Sequence, residues 1–299
     1  MTGRGMRILV AGANGQLGSD CLEVLADGEV LGLDLPDLDI ADATSVRAAF
    51  GDFRPDVVLN CAAYTAVDRA ETDEAAADRA NREGPAVLAA ACAAAGARLV
   101  HISTDYVFSG DRTVPEPWCE SDEPAPRTVY GRTKLAGERA IAASGCEYVV
   151  LRTAWLYGAR GRNFPKTMLR LALKNPSDTA RVVADQWGSP TWSRRLAEQI
   201  RAVVLAPGRV SGLCHAAGLG RATWFEFAEA FLSLMGVPHR LSPCKTSEYP
   251  TSAHRPANSI LECANLGASG LLVLDGWRDA LAAFVAQNRT ALLAECAPA

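Results

Sequence analysis

The chain has 299 residues, a hydrophobic content of 49%, a charged content of 21% and a formal net charge of −4, which marks an ordinary globular protein with ample material for a buried core. Without a broad basic field, nucleic acid is not an expected partner, and an anionic substrate would need locally placed basic residues. The nine cysteines stand singly, without a CxxC pair or metal-ligand spacing, and the four histidines form no cluster. A disulfide framework and a structural metal are therefore not expected, the thiols read as reduced, and the compartment reads as the cytoplasm.

Arg4 and Arg7 precede an apolar run, but Ile8 to Ala11 is too short for the core of a signal peptide and Gly12 interrupts it. The run reads instead as a first strand over 7–11. Further strands are predicted over 29–34, 56–60, 98–103 and 147–152, with helices over 16–26, 44–50, 74–95 and 130–144 between them. This alternation predicts an α/β protein with a doubly wound parallel sheet covered on both faces. The longest small apolar run, 86–97, has twelve residues, too few to span a membrane, and reads as a buried helix of a soluble protein. From about Gly158 the rhythm loosens, and Pro165, Pro176, Pro190, Pro207, Pro238, Pro250 and Pro256 punctuate shorter helices. The expected organisation is a dinucleotide-binding domain over 1–155, rejoined by part of 185–220, and a smaller substrate-binding lobe made mainly of 156–299.

Gly12, Gly15 and Gly18 follow the first strand at three-residue spacing and open the first helix. Such a turn lets backbone approach a pyrophosphate, whose charge the helix N-terminus stabilises. Asp34 lies 22 residues after Gly12, at the end of the second strand, where a carboxylate bonds a ribose hydroxyl and completes a Rossmann-like pattern. A carboxylate also repels a 2′-phosphate, and Leu35-Pro36 offers no arginine to receive one, so NADH is favoured over NADPH. The stretch from Asn60 through Ala63, Tyr64 and Thr65 follows the third strand at the edge where ligands sit in such sheets; it reads equally as a cofactor wall or as a compact strand end. Thr104 and Asp105 end the fourth strand at the same edge, where a hydroxyl can bond a substrate carbonyl and a carboxylate can bind a sugar hydroxyl or cap a loop. Tyr130 and Lys134 fall four apart on a predicted helix and so share a face. A lysine within a few Å of the phenol would bring its pKa, ordinarily about 10, toward working pH and make it a better general acid.

Together the glycine order, the Ser103-Thr-Asp run and Tyr130-x-x-x-Lys134 resemble the extended short-chain dehydrogenase/reductases. Cys61-Ala-Ala-Tyr-Thr-Ala-Val-Asp68, Ser103-Thr-Asp-Tyr-Val-Phe108, Val129 to Glu138, Arg152-Thr-Ala-Trp-Leu-Tyr157, Asn163-Phe-Pro-Lys-Thr-Met168, Asp185-Gln-Trp-Gly-Ser-Pro-Thr191 and Arg255-Pro256 narrow it, being similar to the dTDP-4-dehydrorhamnose reductase family over nearly the whole chain. The resemblance implies that NADH or NADPH gives hydride to C4 of a dTDP-4-keto-6-deoxy sugar while Tyr130 protonates the developing oxyanion. Lys134 would lower the Tyr130 pKa and hold the nicotinamide ribose, and Thr104 would bond the same oxygen. It also implies that Gly15, Gln16 and Leu17 lie under the pyrophosphate, Asp34 on the adenosine ribose, and Asp39 and Ile40 near adenine. Ala63, Tyr64, Thr65 and Ile102 would line the cofactor groove. For the substrate it implies Thr104, Asp105 and Trp155, with Asn163, Lys166 and Arg255 at the diphosphate and Gln186 at the nucleotide end.

Each of these has a plainer reading: Trp155 as core filling, Arg255 as a loop charge, and Lys166 with Arg170 as a solvated helix face. Some members of the family are magnesium-linked dimers held by glutamates. Here Asp20 follows Gly18-Ser19 and the segment from Trp192 to Leu196 is basic, so no metal is expected and a homodimer is left open. Two rival functions remain: reduction of a related dTDP-4-keto sugar, as in a dihydrostreptose synthase, and a non-catalytic regulator similar to that of methionine adenosyltransferase. A 4,6-dehydratase would place Thr-Asp-Glu where this chain has Thr104-Asp105-Tyr106.

Overall fold

A computed structural model describes residues 5–298 of the chain; Arg4 lies outside the described residues. Five strands, β1 (Arg7–Ala11), β2 (Glu29–Leu33), β3 (Val57–Asn60), β4 (Arg98–Thr104) and β5 (Glu147–Thr153), follow one another along the chain. A sixth, Gly212–His215, pairs parallel to β5, and the sheet runs in the order Gly212–His215, β5, β4, β3, β1, β2. Every pairing in it is parallel.

Alternation along each strand divides its side chains between two helical layers. Ile8, Val10, Val57, Leu59, Val100, Val149 and Leu151 pack with Leu17 and Cys21 of helix α1 (Gln16–Val24) and with Leu196, Ile200 and Val203 of the helix Ser193–Val204. Leu9, Val58, Leu99 and Val150 face the other way, onto Val46 of α2 (Ala43–Phe53), Leu88 and Cys92 of the helix Gly84–Ala95, and Ile141. Leu9, Leu59 and Leu99 are fully buried, and burying a leucine contributes about 2 kcal/mol.

The predicted helix over 74–95 is three pieces: Glu74–Asp78, a π-helical turn Arg79–Glu83, and Gly84–Ala95. A side chain at Gly84 would sit 2.5 Å from Ile40 Cδ1, and the π turn carries the buried Asn81 inward, where it brackets the backbone of Tyr64.

A separate core joins Tyr157 of the short strand Leu156–Tyr157 to Met168, Phe227, Phe231, Trp277, Leu281 and Phe284 of the helices Phe164–Lys174, Trp224–Met235 and Trp277–Cys296. Beside it a small sheet pairs Trp187–Gly188 with Ala222–Thr223 and Asn258–Ser259. The second half of the chain thus builds this lobe and also lends the main sheet a strand and a covering helix. At the helix-to-helix contact Ser193 donates to Asp20, while Glu23 pairs with Arg160 at 2.9 Å and Arg194 at 3.0 Å. Among the described residues no helix is long and apolar enough to cross a membrane.

Candidate active site

At the carboxyl edge of β1 the chain makes a tight turn built on glycine. Gly12 has φ +76°, and a Cβ there would lie 2.6 Å from Ala62 N; one at Gly18 would lie 2.1 Å from Gly12 O. Side chains are therefore excluded from the crossing of β1, β3 and α1, and Gly15 caps the helix in extended conformation. Asp34 binds the same turn, accepting from Asn14 N at 2.9 Å and Leu35 N at 2.8 Å. Leu17 and Ile40 place their side chains in the two cores, so they can offer a dinucleotide only backbone. The Asp39 carboxylate is engaged by Arg79 at 2.7 Å, which holds it below its ordinary pKa.

The helix Val129–Ala142 brings Tyr130 and Lys134 to the end of β4. Thr128 caps it, accepting from Gly131 N at 3.0 Å. Two glycines let it pack close: a Cβ at Gly131 would lie 2.2 Å from Tyr106 O, and one at Gly137 2.1 Å from Asn81 O. Thr104, Tyr130 and Lys134 are 5%, 9% and 2% exposed, so the three are gathered in a nearly dry site. The Thr104 hydroxyl donates to Asp105 Oδ1 at 2.9 Å and lies beside Tyr130, and the Tyr106 ring stands edge-on to the phenol at 5.5 Å.

One expectation is corrected here. Tyr130 and Lys134 share a helix face, but the hydrogen bonds of Lys134 run into the sheet, to Ile102 O at 2.6 Å and His101 Nε2 at 3.2 Å. Burial first, then the neighbouring Asp105 and Tyr106, raises Tyr130 above the ordinary tyrosine value, with Thr104 pulling the other way. Burial also pushes Lys134 down to about 8 and Asp105 up to about 6, with the contacts from Thr104 and Ser259 opposing the latter. The Tyr130 phenol thus holds its proton firmly.

Above this edge stands the second lobe. Asp105, with Oδ2 buried and unpaired, meets Ser259, and Ser259 accepts from Trp155 Nε1 at 3.0 Å. Trp155 has φ +48°, a strained backbone for a bulky residue, and stacks on Trp224 with ring centroids 3.5 Å apart. A side chain at Gly188 would strike the Trp155 ring at 2.2 Å. Gln186 accepts from Trp224 Nε1 at 3.1 Å and donates to Thr246 at 3.0 Å. Arg255 pairs with Asp68 and reaches the Tyr106 hydroxyl at 3.3 Å. Asp105, Trp155, Gln186 and Arg255 thus belong to connected groups around Thr104.

Two expected diphosphate ligands lie elsewhere. Asn163 caps the helix Phe164–Lys174 and donates to Gln16 Oε1 at 2.8 Å, so it adjoins the glycine turn. Lys166, 2% exposed at its side chain, ends in an ion pair with Glu295 at 2.7 Å that Arg170 shares at 3.0 Å. Its charge is spent joining two helices of the lobe, a correction that no local pattern revealed because Glu295 is 129 residues away. Ala63, Tyr64 and Thr65 follow β3, the Tyr64 backbone held by Asn81. Sequence reasoning missed Asn81, Trp224, Ser259 and His101, the last of which sits among apolar strand residues.

A family model described as the RmlD substrate binding domain matches residues 6–290. The chain is 45% identical over 285 residues (92% of this chain, 93% of the other) to a Streptomyces antibioticus protein named probable dTDP-4,6-dihydroxy-2-methyloxan-3-one 4-ketoreductase. It is 41% identical over 292 residues (92% and 97%) to a dTDP-4-dehydrorhamnose reductase of Burkholderia thailandensis. A crystal structure of dTDP-4-dehydrorhamnose reductase from Bacillus anthracis in complex with NADP superposes with a TM-score of 0.89, at 38% identity over 94% of this chain and 99% of that one. The matched span covers the glycine turn, the Thr104, Tyr130 and Lys134 cluster and the second lobe alike, and the chain belongs to the RmlD substrate binding domain family, among the dTDP-4-dehydrorhamnose reductases.

Proposed function

We propose that the protein reduces the C4 ketone of dTDP-4-dehydro-β-L-rhamnose to dTDP-β-L-rhamnose with NADH or NADPH, serving nucleotide-sugar synthesis in the cytoplasm. The observation that carries this reading is the burial of Thr104, Tyr130 and Lys134 together at the carboxyl edge of a parallel sheet, beside a turn that admits no side chains. The names of the relatives support the substrate class, and the NADP held by the Bacillus anthracis structure supports the cofactor class. Asp34 favours NADH, and the NADP-bound relative keeps NADPH in the reading.

When bound, the reduced dinucleotide supplies the hydride. Its pyrophosphate would lie on Gly12, Gly15, Gln16, the Leu17 backbone and Gly18, with Asp34 at the adenosine ribose and Asp39 and Ile40 at adenine. Ala63, Tyr64, Thr65 and Ile102 line the remainder. Tyr130 Oη gives its proton to the carbonyl oxygen as that oxygen gains charge, and Thr104 hydrogen-bonds the same oxygen. Lys134, as a cation, offsets the phenolate left behind. Positioned proton transfer of this kind contributes a factor of about 10² to 10⁴. The sugar lies under Asp105 and Trp155, with Arg255 toward the diphosphate and Gln186 toward the base. The lobe over 156–299, apart from the helix and strand it lends to the sheet, is the substrate side.

The identity to the Streptomyces antibioticus ketoreductase favours a second reading, in which a related dTDP-4-keto-6-deoxy sugar is the substrate. Purified protein mixed with dTDP-4-dehydrorhamnose and either NADH or NADPH should consume the reduced cofactor and yield dTDP-rhamnose. Absence of consumption at saturating ketone, with turnover of a 2-deoxy analogue, would move the assignment to the second reading, and no turnover of either would leave a binding protein.

A further inference from the structure

We propose that His101 is a positioning residue: with its tautomer set by Asn60, it presents an N–H to Lys134 and opposes the ammonium form of that side chain. The inference rests on the reductase reading for its kinetic consequence but not for its geometry.

Three buried groups stand in a row. One side-chain amide atom of Asn60 lies 3.1 Å from the backbone N–H of Ala62. A backbone N–H only donates, so that atom is the carbonyl oxygen. The atom facing His101 Nδ1 at 3.0 Å is then the amide nitrogen, a donor. Nδ1 must accept, so the single proton of the neutral ring lies on Nε2. A doubly protonated ring would oppose Asn60, and burial in any case holds His101 well below its ordinary pKa.

The Nε2–H points at Lys134 Nζ, 3.2 Å away. An ammonium has three donors and no lone pair, and would set N–H against N–H. A neutral amine accepts from His101 and still donates to Ile102 O at 2.6 Å. The downward shift of Lys134 to about 8 has the same sense. Of the ionisable groups around it, Cys61 beyond β3 and Glu138 on its own helix favour the cation, but Glu138 is already paired twice with Arg152 of β5. Asp105, from the turn after β4, bears on Tyr130. The cation that offsets the Tyr130 phenolate is therefore acquired against the imidazole, and His101 sets the pH at which it forms.

Two measurements test this. Nitrogen NMR of ring-labelled histidine in the whole protein should show His101 as the Nε2–H tautomer through the neutral range; an Nδ1–H tautomer or a titrating ring would overturn the proposal. In the reductase assay, His101→Phe removes the N–H while keeping a ring. The basic limb of kcat/KM against pH should move up by about one unit, the worth of one neutral hydrogen bond. A uniformly lowered rate with an unmoved limb would make His101 merely structural. If no dTDP-4-keto sugar is turned over, the reductase reading fails while the tautomer still decides the role of His101.

Discussion

Tyr130 is the residue on which the chemistry turns, and its phenol is held protonated by burial. Tyr130→Phe keeps the ring edge against Tyr106 and loses only the proton, so kcat should fall by about 10² to 10⁴ with NADH affinity, measured by titration calorimetry, unchanged; near-normal turnover would refute the acid. With Lys134 near 8, kcat/KM for reduction should decline as pH rises through that value, because the cation offsetting the phenolate is lost. Tyr130, Lys134 and Thr104 were legible because helix spacing and strand ends are local. Their partners were not. His101 reads as one more strand residue until the third dimension sets it between Asn60 and Lys134, and Lys166 looks like a free cation until the C-terminal helix brings Glu295 to it.

The helix Val129–Ala142 is the element that carries the acid, and its start is held by Thr128 and admitted by Gly131. Thr128→Ala should cost about 1 kcal/mol, seen as a lower Tm, and leave the shape of the pH profile intact. Gly131→Ala should act differently, because its Cβ would meet backbone oxygen 2.2 Å away at Tyr106. Neither atom can yield, so the helix must shift and carry Tyr130 with it. A loss of kcat well beyond the loss of stability is expected, and an unchanged kcat would show the site to be less demanding. The strands of the first half were readable to within a residue or two, since runs such as Arg7–Ala11 and Glu147–Thr153 are buried on both faces and interrupted by turns. The strand Gly212–His215 was not, being four residues with no alternation, and the two-residue strands of the small sheet carry no period at all. Nor did composition reveal the π turn at Arg79–Glu83, which depends on where Asn81 must reach.

At the scale of the whole molecule the two halves cannot part without breaking the main sheet. Arg98 of β4 donates to Val203 O at 3.0 Å and Val210 O at 2.6 Å, and the helix Ser193–Val204 shares a core with β1, β3, β4 and β5. Urea unfolding should therefore be a single transition by far-ultraviolet circular dichroism and by tryptophan fluorescence; two separated transitions would mean that the lobe holds by itself. Its pH dependence follows from three buried groups. His101 lies well below its ordinary value of 6.5, and His215 falls from 6.5 to about 4, both chiefly through burial. Below 6.5 the unfolded chain takes up protons that these rings refuse, so acidification removes stability. Asp105, raised from 3.8 to about 6, works in the opposite sense, since the folded state is the better proton binder in that interval. Two histidines against one carboxyl leave the unfolded chain the better proton binder below about pH 6, so stability falls as the pH is lowered. Urea midpoints measured at a series of pH values should trace that slope. In His101→Phe the slope should flatten, because the one remaining histidine is then balanced by Asp105; an unchanged slope would mean that the ring of His101 accepts a proton in the folded protein.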